Sequence, residues 1–62
     1  MHIENFETMD PHLLVGVVNT ALRNDYEDLD DLCKSNDIDL TALTQKLSEA
    51  GYTYLSEHTR FA

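Results

Sequence analysis

A second cysteine is missing, so no internal disulfide can staple this chain; Cys33 stands alone. At 62 residues the chain leaves room for one domain at most. A domain that short buries only ~60% of the surface its unfolded chain exposes. Its core contributes about 3–5 kcal/mol, and self-association is one way to add to that. A lone thiol also fits a reducing compartment, so the expected location is cytoplasmic. Glycine is scarce as well. Gly16 and Gly51 are the only two, which excludes a glycine-rich phosphate loop. The longest apolar run, Leu13 to Val18 with Gly16 inside it, is far too short to cross a bilayer. The opening Met1-His2-Ile3-Glu4 is a poor signal start, and no membrane contact is expected.

Positive charge is the third scarcity. Four Lys and Arg face twelve Asp and Glu, for a net charge of -8. Such a chain repels nucleic acid unless its few cations share one face. The acids concentrate in the middle. Asp25, Glu27, Asp28, Asp30, Asp31, Asp37 and Asp39 lie within 24–39, where Lys34 is the only base. The apolar content of 42% is nonetheless enough for a packed core and too high for simple disorder.

What is present points to a mainly α fold: a three-helix bundle with a helix-turn-helix-like pair and a short C-terminal β-hairpin. Residues 1–9 carry Ile3 and Phe6 and read as an extended or loose segment. A first helix is expected over 10–24. Asp10 caps it, Pro11 opens it, and Met9 and Leu14 have staple spacing. Leu13, Leu14, Val17, Val18, Ala21 and Leu22 form its apolar stripe, and Asn24 suits a left-handed close.

A second helix over 28–36 starts at Asp28. Asp30 and Asp31 in its first turn complement the helix dipole, and Ser35-Asn36-Asp37 breaks it. A third over 39–50 is capped by Asp39, carries Leu40, Leu43, Leu47 and Ala50 on one face, and stops at Gly51. Residues 52–62 read as a hairpin, with Tyr52 and Tyr54 alternating in its first strand and 56–59 as its turn. A hairpin so short must lie against the helices.

Chemistry is sparse. A calcium loop begun at Asp28 would put Leu32 at its fifth position, Cys33 at its sixth and Asp39 at its twelfth, so the match fails. One Cys and the scattered His2, His12 and His58 lack any zinc spacing. Cys33 beside Leu29 and Leu32 reads as a small buried hydrophobe rather than a nucleophile. The expectation is therefore no catalytic residue, no metal and no cofactor.

Asn19 and Arg23 share one helix face. They read as a partner contact or, better, as a tie from Arg23 to the acids of the second helix. Tyr52 and Tyr54 read as a cover over the core or as an exposed aromatic platform. In a helix-turn-helix the second helix meets the major groove. Here that face carries Thr41, Thr44, Gln45, Ser48 and Glu49. Only Lys46 and Arg60 stand near it to meet phosphates, so nucleic acid is disfavoured and the motif reads as architecture.

A protein-interaction module with an acidic surface is thus the leading expectation, its partner a basic protein or a second copy. The residues open to a partner are Asp28, Asp30, Asp31, Thr41, Thr44, Gln45, Tyr52 and Tyr54. The alternative is a winged-helix-like nucleic-acid-binding or regulatory module. An acidic mimic of nucleic acid is a third possibility, supported by charge alone.

The chain also resembles a family of short bacterial proteins described only as a domain of unknown function. Asp10-Pro11 before the apolar helix, Val18 to Tyr26, Leu29-Asp30-Asp31-Leu32-Cys33, Asp37-Ile38-Asp39, Lys46-Leu47, Tyr52-Thr53-Tyr54 and Phe61 carry the resemblance over about residues 10–61. It implies bacterial origin and a stand-alone small domain, and no activity. The family pattern would place Asn-Gln before the final Phe, where this chain has Thr59-Arg60.

Overall fold

A computed structural model describes residues 6–62. Ile3 lies outside the described residues. Phe6 does reach the core, but from a single 3-10 turn, Phe6–Thr8, rather than from extended chain. Three helices follow, α1 (Pro11–Asn24), α2 (Leu29–Asn36) and α3 (Leu40–Glu49). An antiparallel hairpin closes the chain, with β1 (Tyr54–Leu55) and β2 (Arg60–Phe61).

Each helix starts on an aspartate. The Asp10 carboxylate accepts from the amide of His12 (3.3 Å), Asp28 from Asp31 (2.8 Å) and Asp39 from Thr41 (3.1 Å). Each satisfies an amide that the helix cannot pair itself. Two helices end alike. After α3, Gly51 turns left-handed at φ 94°, its amide donates to Ser48 O and that of Tyr52 to Leu47 O. After α2, Asp37 takes φ 56°, with its own amide on Lys34 O and that of Ile38 on Cys33 O. Both are Schellman closures, one built on glycine and one on aspartate.

Helix α1 ends otherwise. Asn24 does not turn left-handed; Asp25 follows at φ −119°, and the amides of Asp25 and Tyr26 both donate to Ala21 O. Helix α2 runs on through Ser35 and Asn36, so the break falls at Asp37 alone. Asn36 stays helical because its buried side chain is satisfied. Its Nδ2 donates to Leu32 O (2.9 Å) and to the Tyr26 hydroxyl (3.1 Å).

The core gathers Leu14, Val15, Val18, Ala21 and Leu22 of α1, Leu29, Leu32 and Cys33 of α2, Leu43 and Leu47 of α3, and Phe6 and Phe61 from the two ends. Leu14, Val18, Leu32, Leu43 and Leu47 are fully buried. Truncating one such leucine to alanine typically costs about 2–5 kcal/mol. The stripe of α1 is rotated from the expected one. Leu13 is 59% exposed and Val15 takes its place. At roughly 100° per residue, Leu13 falls on the far side of a stripe centred between Val18 and Leu22. Leu40 also misses the core and is 36% exposed at the first turn of α3.

The hairpin pairs Tyr54 with Phe61 and Leu55 with Arg60, and Thr53 and Ala62 extend it by exchanging two 2.9 Å bonds. Asn19 of α1 fastens it to the bundle. Its Nδ2 donates to Phe61 O (3.0 Å), and its Oδ1 accepts from Phe61 N (2.8 Å). In the turn, Leu55 O accepts from the His58 amide, and Thr59 then adopts φ 53°. A β-branched residue is strained there, whereas asparagine tolerates it.

Two outcomes follow for thermal unfolding. Thr59→Asn should stabilise the fold by about 1 kcal/mol, seen as a Tm rise of several degrees, while Thr59→Val should not. Asn19→Ala should cost about 1–3 kcal/mol, because it leaves both backbone groups of Phe61 unmet.

Candidate partner-binding site

The exposed face of α3 adjoins one acidic cleft. This cleft of about 470 Å³ opens between the start of α2, the start of α3 and the hairpin. Asp28 comes from the cap of α2 and Asp30 from its first turn, Leu40 and Thr44 from α3, Tyr54 and Ser56 from the hairpin. The α3 face itself forms a shallow depression of about 440 Å³, which shares Leu40 and Thr44 with the cleft and adds Thr41, Gln45, Ser48 and Glu49. Four of the residues expected to face a partner, Asp28, Asp30, Thr44 and Tyr54, therefore meet in one cleft. Thr41 and Gln45 adjoin it.

Asp31 and Tyr52 are not part of it. Asp31 closes the start of α2 locally, with its carboxylate accepting from the Glu27 amide at 3.1 Å. Tyr52 and Tyr54 do not form one aromatic platform. Tyr52 still belongs to the turn that closes α3, so strand alternation does not reach it. Its hydroxyl lies 2.7 Å from His12 Nδ1, and the two rings meet edge-on. Tyr54 instead tilts against Phe61, with ring centroids 5.2 Å apart. Both tyrosines are half-buried against the core, as the covering role requires.

The polar groups of the α3 face are less free than the sequence implies. The Thr44 hydroxyl donates back to Leu40 O at 2.7 Å. Lys46 Nζ donates to Glu7 O at 3.0 Å, which ties one of the two nearby cations to the chain before α1. Arg60 is exposed on β2. Arg23 makes no tie to α2: it is exposed in the last turn of α1, and among the described residues no ion pair joins it to an α2 carboxylate. Its neighbour Asn19 makes the interelement contact instead, with the hairpin.

Leu40 is the residue of α3 that periodicity misplaced. It sits directly after the Asp39 cap, where the helix has not yet turned onto the core, and it contributes apolar surface to both hollows. Its position next to a cap was the available signal. Among the described residues no three His, Cys, Asp or Glu are grouped to hold a metal ion, and no helix is long and apolar enough to cross a membrane.

Cys33 is buried on α2. Burial raises its thiol pKa above the ordinary value, and the charges of Asp30 and Asp39 raise it further. A raised folded-state pKa leaves stability intact while the unfolded thiol is also protonated. Stability then falls as pH rises past about 8.5, where an unfolded thiol ionises and the folded one does not. Denaturant unfolding at stepped pH should show this decline, and Cys33→Ala should flatten it. A thiol reagent should react with the native protein far more slowly than with the unfolded chain.

Comparison with curated proteins gave no match, and comparison with solved structures gave none either. Residues 8–61, nearly the whole fold from the 3-10 turn to β2, match one family model, and the chain belongs to that family, the Domain of unknown function (DUF4250).

Proposed function

We propose that this domain is a small non-catalytic protein-interaction module of the cytoplasm, whose acidic cleft receives a basic, partly apolar segment of a protein partner. The observation that carries this reading is the composition of the cleft. Apolar surface from Leu40 and the ring of Tyr54 lies beside the carboxylates of Asp28 and Asp30. A lysine or arginine can lay its aliphatic stem on the first pair and bring its charge to the second. The net charge of -8 favours encounter with such a partner and discourages self-association through this face.

The winged-helix-like alternative draws on the order α2, short turn, α3, hairpin. Its electrostatics are unfavourable. The α3 face that would enter a groove carries Glu49 itself and is bordered by Asp28 and Asp30, and Lys46 is already engaged. Phosphate contacts need cations in those places.

Isotope-edited NMR titration separates the readings. An acetylated hexapeptide of alternating lysine and valine should shift the amides of Leu40, Thr44 and Tyr54 and bind more weakly as salt rises. Asp30→Asn should lower its affinity about 2–5-fold, as expected for a rim charge. No binding of this peptide, together with duplex DNA binding at ~50 mM salt that collapses on salt addition, would replace this reading by the alternative.

A further inference from the structure

Hydrogen-bonded and non-hydrogen-bonded pairs alternate along an antiparallel ladder. Thr53 and Ala62 exchange both of their bonds. The next pair, Tyr54 opposite Phe61, is therefore non-hydrogen-bonded, and its N–H and C=O groups point outward on the two edges of the hairpin. On the β2 edge the outward groups of Phe61 are met by the Asn19 amide. On the β1 edge the outward N–H and C=O of Tyr54 have no protein partner among the described residues. Tyr54 is also a wall of the acidic cleft. An open strand edge and a charged cleft thus coincide at one residue.

We infer that the partner segment binds as a third strand, added in extended form to β1, with reciprocal backbone bonds to Tyr54 and a basic side chain directed to Asp28 and Asp30. This rests on the reading of the cleft as a partner site and specifies how that site works. Main-chain bonds supply the docking and the side chain supplies the choice of partner. The added ladder is short. The Tyr52 amide is already taken by Leu47 O, and Ser56 is the next outward position, inside the turn. Selectivity therefore rests on the cleft rather than on a long ladder. The occupant is a basic segment and not a second copy of this chain. Pairing two β1 edges would bring two sets of Asp28 and Asp30 together, which like-charge repulsion disfavours. A helical ligand would leave the Tyr54 groups unmet.

The test uses the 62-residue chain and three peptides: the alternating lysine–valine hexapeptide and two analogues N-methylated on its odd or on its even residues. Binding is followed by NMR, and exchange of the Tyr54 amide proton is measured. With peptide at ten times its Kd, that proton should exchange about tenfold more slowly. Methylation in one phase should weaken binding about fivefold or more, and methylation in the other should not. Equal binding of all three peptides, with Tyr54 exchange unchanged, overturns strand addition and leaves the cleft reading standing. Binding by none of them overturns both. Protection of Tyr54 that grows with protein concentration, without peptide, overturns the choice of occupant in favour of a second copy.

Discussion

The reciprocal pair of hydrogen bonds between the Asn19 side chain and the backbone of Phe61 is the contact on which the layout depends. A hairpin with two-residue strands is marginal by itself. Here α1 supplies what a third strand would have supplied, a donor and an acceptor at matching spacing, from one primary amide. With β2 held this way, Phe61 is 2% exposed within the core, and the Tyr54 ring tilts against it. The same contact leaves only the β1 edge open, on the side where α2 and α3 begin. The position of the cleft is thus set by a residue that does not line it.

The acidity of the middle of the chain has a structural origin first. Asp28 and Asp39 start helices, Asp31 reinforces the first of these starts, and Asp37 occupies a left-handed closure. These tasks suit Asp because its short carboxylate reaches nearby amides and it tolerates φ > 0 better than most residues. Placing two capped helix starts side by side then concentrates negative charge at one end of the bundle. Asp28 serves both roles, as cap and as cleft wall. Among the described residues Asp30 makes no capping bond and stays exposed beside it. No long-range force is needed to account for the acidic flank.

Much of this was legible in advance, and the misses have physical causes. The Asp-Pro start of α1 and the glycine stop of α3 are local signals, and the helices fall where those signals put them. Leu13 and Val15 exchanged places because an apolar run covers more than half of a helix circumference, so periodicity alone leaves the direction of the core open. Asn24 stayed helical because a different bond, from the Tyr26 amide, closes α1. Tyr52 escaped the strand pattern because the closure of α3 extends one residue past Gly51. Asp28, Asp30, Thr44 and Tyr54 were each visible as exposed candidates, yet nothing in their spacing brings 28, 44 and 54 together.

Local signals along the chain specify the three helices and the C-terminal hairpin. Caps, stops and apolar spacing act within one or two turns, so their energies are readable from neighbours along the chain. The sequence also specifies the sign of the charge and the buried setting of Cys33 among leucines. Only the tertiary structure decided which α1 face turns inward, that Asn19 rather than Arg23 joins distant elements, and that Leu40 faces outward beside two carboxylates. Those outcomes depend on which surfaces meet in space, in the case of Asn19 and Phe61 across 42 positions of the chain. Side-chain packing and edge hydrogen bonding, which operate in space rather than along the chain, choose among arrangements that local rules leave equal.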